Sequence, residues 1–283
     1  MRCSLLVLTY EWPDALRLTL ASIARQRVLP DEVIVGDDGS GAATRTVVGE
    51  AARDFPCRIA HVWQEDLGFR AARARNRAIA ASRGDYLVIV DGDMVLHPRF
   101  VADHLALRAA KHFLVGGRLR ASAAESARLL AGGAARFSPW MDGQFDVRHE
   151  FRRRHALRLP LLARLAARGR GHVMSCNMSF WREDLLRANG FDERMQGYGS
   201  EDLELAARLV NAGVARRQLK YAGLAVHLDH PVRAVGERDD PALPNNRILG
   251  ETRSQRRTRA PLGVDAHAAE FVQPPRDLRR TFA

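Results

Sequence analysis

The stretch Tyr86-Leu87-Val88-Ile89-Val90-Asp91-Gly92-Asp93 decides how this chain is read. Its apolar residues run on without alternation and stop too soon for a helix, the pattern of a strand buried on both faces. Two carboxylates one residue apart follow at once. Burying such charge is costly without a neutralising partner. The strand end is therefore expected to open onto space where a hard divalent cation bridges the carboxylates to phosphate oxygens. Asp and Gly are also ordinary turn residues, and taken alone the triplet reads first as a plain acidic strand-to-helix turn. The following Met94-Val95-Leu96-His97-Pro98 lacks the further acids and the glycine of a calcium-binding EF-hand loop.

Upstream, strand and helix periods alternate. Leu5-Leu6-Val7-Leu8 reads as a buried strand, and Leu16, Leu20 and Ile23 recur at helical spacing behind Pro13. Val33-Ile34-Val35 is a second strand closed by Gly36-Asp37-Asp38-Gly39-Ser40, and a helix follows over about 43–54. Ile59–Trp63 is a third strand, a helix over 70–82 leads into the strand at 86–90, and Pro98 opens another helix. This alternation predicts an α/β fold with a mostly parallel, Rossmann-like central sheet and helices on both faces. Ligands of such sheets bind beyond the carboxyl ends of the strands, where the acidic and glycine-rich turns fall. Downstream, strands are expected at 113–115, 172–180 and 224–230, and helices at 122–131, from Arg182, and at 201–210 behind the turn Gly197-Tyr198-Gly199-Ser200. From residue 236 the chain is polar, with five prolines and an arginine cluster at 253–259, and reads as a partly ordered tail.

Composition narrows the function classes. The chain has 283 residues, 46% of them hydrophobic, enough for a sizeable core. Its net charge is +11, and all cations but Lys111 and Lys220 are arginine. Such a bias fits a GC-rich genome or a polyanionic partner such as nucleotide phosphates or an anionic membrane face. Residues 148–170 carry eight arginines, Arg152, Arg153 and Arg154 among them, against one glutamate, interleaved with Leu157, Leu159, Leu161, Leu162 and Leu165. Arginines among leucines suit an anionic lipid interface; a solvated helix with its leucines on the core is the plainer alternative. Cys3, Cys57 and Cys176 form no CxxC, which argues against a disulfide framework or thiolate zinc site and for a reducing compartment. No run reaches the length of a spanning helix and the N-terminus does not read as a signal peptide. A cytoplasmic protein is expected, peripheral at most on the inner face of the cytoplasmic membrane.

Three further motifs change the weight of Asp91-Gly92-Asp93: the Asp37-Asp38-Gly39-Ser40 turn, the segment 64–76 ending in Ala74-Arg75-Asn76, and Gly199-Ser200-Glu201-Asp202. Acids in a first helical turn also stabilise a helix for their own sake. Together and in this order the motifs resemble glycosyltransferase family 2, the inverting enzymes of GT-A fold, over roughly residues 3–250. The later half, Cys176-Asn177-Met178-Ser179-Phe180 and then residues 190–204, is similar to the acceptor side of β-galactosyltransferases and chondroitin-synthase-like polymerases. The chain departs from the family at Glu11-Trp12-Pro13, where asparagine often follows the tyrosine, which puts any contact of that side chain in doubt.

The resemblance implies roles. Thr9, Tyr10 and Asp38 would hold the nucleobase, with Tyr10 stacking and Asp38 accepting from a uracil NH. Arg75 and Asn177 would also contact the donor. Asp91 would reach the ribose or the metal, and Asp93 would ligate Mn2+ or Mg2+ on the diphosphate. A later histidine completes such a site, His230 at the end of the last core strand or His227 three residues earlier. Asp202 would be the base and Glu201 would hydrogen-bond a sugar; Asp192 and Glu193 are rivals whose spacing looks like a loop brace. Tyr198 and Trp181 are candidates to face a sugar ring. The expected organisation is one catalytic domain over 1–235, its donor nucleotide-sugar half at 1–120 and its acceptor half at 121–235, then an extension over 236–283. The implied activity is metal-dependent, inverting transfer from a UDP-sugar to a saccharide or lipid-linked acceptor in bacterial cell-surface polysaccharide or glycan synthesis. A nucleotidyltransferase would need a glycine-rich phosphate loop after the first strand, which Thr9–Pro13 lacks. A nucleic-acid-binding protein would need stacking aromatics among its arginines, and none are interleaved.

Overall fold

The computed structural model describes residues 1–140, 143–145, 156–166, 173–231, 240, 242–273 and 275–281. The strand Tyr86–Asp91 (β4) lies inside a seven-stranded sheet. Its neighbours in sequence are β1 (Cys3–Thr9), β2 (Glu32–Asp37) and β3 (Arg58–Trp63), and beyond β4 lie β9 (Asn177–Trp181), β6 (His112–Val115) and β10 (Ala215–Gln218). The spatial order is β10-β6-β9-β4-β1-β2-β3. Among these strands β9 alone runs antiparallel to its neighbours. The expected mostly parallel sheet is observed.

Alternate side chains of each strand enter opposite layers, as the two-residue strand period requires. Leu5, Val7, Val33, Val35, Val88 and Val90 pack under α1 (Pro13–Ala24), α2 (Ala42–Ala52) and α4 (Phe100–Leu107). Leu6, Ile34, Ala60, Leu87 and Ile89 pack under α3 (Ala71–Ala81), α7 (Arg182–Arg187) and α8 (Glu201–Asn211). The alanine-rich α3 rides close to β2: a Cβ on Gly36 would stand 3.0 Å from the Ala74 carbonyl oxygen.

A second sheet, β5-β11-β7-β8, was not legible in the sequence. It joins β5 (Met94–Leu96), β7 (Leu119–Ala121), β8 (Gly143–Phe145) and β11 (Ala225–His227). Only β11 falls within an expected strand, the one at 224–230; the other three-residue strands carry too little periodicity to register. α5 (Ala123–Leu130), capped by Ser122, and the short α6 (Pro160–Ala166) follow β7 and β8. Arg152, Arg153 and Arg154 lie outside the described residues. Within 156–166 the leucines do not pack on the core: Leu161 and Leu165 are more than three-quarters exposed.

The expected tail is corrected. Residues 244–254 form α9, and 3₁₀ turns follow at Val264–Phe271 and Leu278–Thr281. Leu249, Ala260, Val264 and His267 are buried, and Val264 belongs to the layer beneath α3 and α8. The polar composition hid this because so few apolar residues anchor the segment. Asn245, Thr252 and His267 bond to the rest of the domain.

Candidate active site

The carboxyl edge of the main sheet collects the acidic turns by register. Leu8 pairs with Asp91, Thr9 with Asp37, and Asp37 with Trp63. β1 and β4 are where the strand order reverses, the crevice in which open α/β sheets bind ligands. Gly92 turns the chain there because nothing larger fits: a Cβ would stand 2.9 Å from the Leu8 carbonyl oxygen. Its N–H donates to that oxygen at 2.6 Å, and its carbonyl accepts from Thr19 Oγ1 at 2.9 Å.

Beyond Gly92 the chain enters β5, which pairs antiparallel with β11 and sets His227 opposite Met94. The Leu228 N–H donates to the Asp93 carbonyl at 3.0 Å. Asp93 Oδ2 thus lies 3.4 Å from His227 Nε2 and 3.4 Å from His230 Nε2. One ligand atom from each of the three lies within 4.8 Å of the others. Both histidine alternatives therefore come to Asp93. Asp91 does not join them, since its Oδ1 accepts from Arg75 at 3.2 Å. Burial works against the Asp93 carboxylate, and the two imidazoles more than offset it, so its pKa lies below the usual range. Burial pushes His227 down to about 4, which leaves its imidazole neutral at pH 7. The hydrogen bond to Asp93 raises His230. Trp12 meets His230 edge-on with ring centroids 5.8 Å apart.

Arg75 links Asp91, at the strand end before the trio, to the acid pair. Buried, its guanidinium donates to Asp91 Oδ1, to Glu201 Oε1 at 3.0 Å and to Ser175 Oγ at 3.0 Å, and it lies 5.2 Å from the Phe191 ring centroid. Burial raises Asp91, against the pull of Arg75. Asp202 accepts from the Ser175 N–H at 3.1 Å and the Leu203 N–H at 2.7 Å. Burial first, and the Glu201 carboxylate second, push its pKa up to about 7. A carboxylate poised near neutrality is what general-base work asks for.

On the other side of the crevice, Asp38 accepts from Gln64 Nε2 at 2.6 Å and from the Arg70 N–H at 2.8 Å, and burial raises it. Thr9 ends β1, and its carbonyl accepts from the Asp38 N–H at 3.0 Å. Tyr10 is exposed, with its hydroxyl donating to Asp66 Oδ2 at 3.0 Å. Tyr198 is exposed beside Phe69.

Two expected site residues lie elsewhere. Asn177 is fully buried and spent on the core: its amide donates to the Gly117 and Gly223 carbonyls and its oxygen bonds His104 Nε2. Trp181 pairs with Tyr86, at the end of β4 opposite Asp91, and donates to the Ala109 carbonyl. The rivals of Asp202 are braces, as their spacing suggested. Asp192 holds Arg194, and Glu193 accepts from Asn76 and bonds His267. Sequence reasoning missed Arg118. It follows Gly116-Gly117 at the end of β6, its guanidinium lies 3.8 Å from Cys176 Sγ, and its charge favours ionised Asp91 and Asp93. A glycine pair plus a cation after a strand is the signal that would have found it.

A mostly parallel sheet with an aspartate–histidine trio and an acid pair across its switch point is the GT-A fold. A mannosyltransferase from Pyrobaculum calidifontis, solved with GDP-Man and Mn2+, superposes with a TM-score of 0.55 at 18% identity, covering 95% of this chain and 73% of that one. TarS residues 1–349 of S. aureus, solved with UDP-GlcNAc, gives 0.57 at 16% identity over 97% and 72%. At such identities the likeness is one of fold. Residues 2–234 match the family described as glycosyltransferase like family 2, and the chain belongs to that family. It is 30% identical over 232 residues to the validoxylamine A glucosyltransferase of Streptomyces hygroscopicus subsp. limoneus, covering 75% of this chain and 48% of that protein. The chondroitin synthase of Escherichia coli is 28% identical over 252 residues, or 81% of this chain and 35% of that protein. The chain thus spans about half the length of the first of these relatives and a third of the second.

Proposed function

We propose that the protein is an inverting, metal-dependent glycosyltransferase. It moves a sugar from a nucleoside diphosphate, UDP by preference, to a hydroxyl of a saccharide or lipid-linked acceptor in bacterial cell-surface glycan synthesis. The observation that carries this reading is the acid pair, Asp202 with its pKa near 7 and Glu201 joined through Arg75 to the strand end that presents Asp93, His227 and His230.

The trio fits a divalent cation. Asp93 Oδ1 and His227 Nδ1 are buried without a hydrogen-bond partner, and a neutral imidazole beside a carboxylate is a ligating pair. Two imidazoles favour Mn2+ over Mg2+, which prefers oxygen donors. A cation held there would supply Lewis-acid stabilisation to the departing diphosphate.

The chain's own groups do the rest. Asp38 and Tyr10 orient the base, and Arg118 adds positive charge beside the trio. Glu201, held by Arg75, accepts from a sugar hydroxyl. Asp202 takes the proton of the acceptor hydroxyl as its oxygen bonds to the anomeric carbon and the bond to the diphosphate breaks. Inversion requires this base on the sugar face opposite the leaving group. The exposed Leu161 and Leu165, within the +7 window 148–170, support an anionic membrane face as a further partner. No helix among the described residues is long and apolar enough to cross a membrane.

The test is a panel of nucleotide sugars scored for thermal stabilisation and for slow hydrolysis, with Mn2+ and with EDTA. Metal-dependent release of UDP from a UDP-sugar is expected. Stabilisation by no nucleotide sugar, or hydrolysis indifferent to EDTA, overturns the reading.

A further inference from the structure

Residues 244–271 lie beyond the stretch that matches the family, yet they grip the turn from which the acid pair springs. Ser200 caps α8 with φ +65°, and Gly199 before it has φ +111°. A left-handed φ is strained for a residue with a side chain and persists only where the surroundings enforce it. α9 supplies that hold. Asn245 Nδ2 donates to the Gly199 carbonyl at 2.9 Å, and Ser200 Oγ donates to Asn246 Oδ1 at 2.5 Å. Asn246 Nδ2 in turn donates to the Asp240 carbonyl at 2.7 Å. Neither amide caps α9.

The same segment fastens the loop on both sides of the turn. Thr252 Oγ1 donates to Glu204 Oε1 at 2.8 Å, within the buried pair Glu204–Arg208. The Ala260 N–H donates to the Ala188 carbonyl, the Val264 N–H to the Asn189 carbonyl, and His267 Nε2 lies 2.7 Å from Glu193 Oε1. We propose that Asn245 and Asn246 are positioning residues for the acid pair: by holding Gly199-Ser200 in its left-handed turn, they fix the Asp202 carboxylate against the Ser175 and Leu203 N–H groups. The inference rests on the glycosyltransfer reading above and extends the site past the family's boundary. Were the turn to relax, Asp202 would leave its buried slot, where Glu201 and Arg75 face it, and lose the desolvation that lifts its pKa.

The experiment compares the natural chain with Asn245→Ala/Asn246→Ala, and with the same pair in a Ser200→Gly background. Glycine accepts the left-handed φ at no steric cost. Turnover, UDP affinity by calorimetry and the titration of the Asp202 carboxyl by carbon NMR are read on each. The double variant is expected to lose ~10- to ~100-fold in turnover, the scale of a small misplacement of a reacting group. Its UDP affinity should hold within about twofold, its Asp202 should titrate at lower pH, and Ser200→Gly should return part of the loss. Natural turnover in the double variant, with Asp202 still titrating near 7, overturns the inference, even if the protein melts lower. Should the double variant fail to fold, Asn245→Ala alone supplies the same comparison. The carboxyl titration needs no turnover, so it decides the clamp even where no nucleotide sugar is used, the outcome that would instead defeat the functional reading.

Discussion

Replacing Asp202 with asparagine should cost activity and, above neutral pH, make the protein more stable. In the fold the carboxyl has a pKa of about 7, against an ordinary 3.8. The folded state therefore keeps a proton that the unfolded chain has released, and stability falls as pH rises from about 4 to about 7. At about 1.4 kcal/mol per unit, the loss from this group by pH 8 is roughly 4 kcal/mol. Asparagine removes that cost. It also gives one up, because a single amide oxygen cannot accept from both the Ser175 and Leu203 N–H groups that the carboxylate satisfies. An unsatisfied buried donor costs ~1–3 kcal/mol. The balance at pH 8 is a gain of ~1–3 kcal/mol, a rise in melting temperature of several degrees at ~2–4 °C per kcal/mol. At pH 5 that cost has shrunk to roughly 1.7 kcal/mol, which the unsatisfied donor offsets, so asparagine should melt close to or below the natural chain. Thermal melts of both proteins from pH 5 to 8 check this. Turnover should fall ~10²–10⁴-fold, the usual cost of a missing base, with UDP affinity held. A difference in melting temperature of the same size at both pH values would refute a buried, proton-holding Asp202. An equal loss of turnover and UDP affinity would make Asp202 a binding group.

Asp93→Asn should leave the melt intact and nearly abolish transfer, because an amide oxygen is a poor ligand for a hard cation; Mn2+ binding followed by electron paramagnetic resonance should weaken with it. Arg75→Met leaves the part-buried carboxylates of Asp91 and Glu201 without their shared cation, so the denaturation midpoint should drop by an amount equivalent to at most ~3–5 kcal/mol, the cost of breaking a fully buried pair; a change under ~1 kcal/mol would mean that the two acids find other partners. Changing Arg152, Arg153 and Arg154 to Ala should reduce sedimentation with anionic but not neutral vesicles, at ~1 kcal/mol per cation. Equal sedimentation of the two proteins would remove the membrane from the account.

The sheet was legible because its strands are long and buried on both faces. Continuous runs such as Leu5–Leu8 and Leu87–Val90 leave no other period to fit, and the helices between them carry theirs plainly. The acidic turns were legible because they close those strands, so parallel connections alone bring Asp38, Asp91 and Asp93 to one edge. The acid pair could be read as a helix start. The pairing of the second sheet could not, since its strands run only three residues each.

From its sequence alone the chain is an α/β protein with carboxylates gathered at the ends of parallel strands, because burial period and turn chemistry are local properties. Tertiary structure decided which groups meet. The pairing of β5 with β11 brought both His227 and His230 to Asp93, where the sequence left one to be chosen. Core hydrogen bonds turned Asn177 inward, and the antiparallel run of β9 carried Trp181 to the sheet edge opposite Asp91. Buried hydrogen bonds, which no periodicity records, made an integral clamp of the segment that composition marked as a tail. A side chain's partners are set by what folds against it, and those neighbours lie tens to hundreds of residues away.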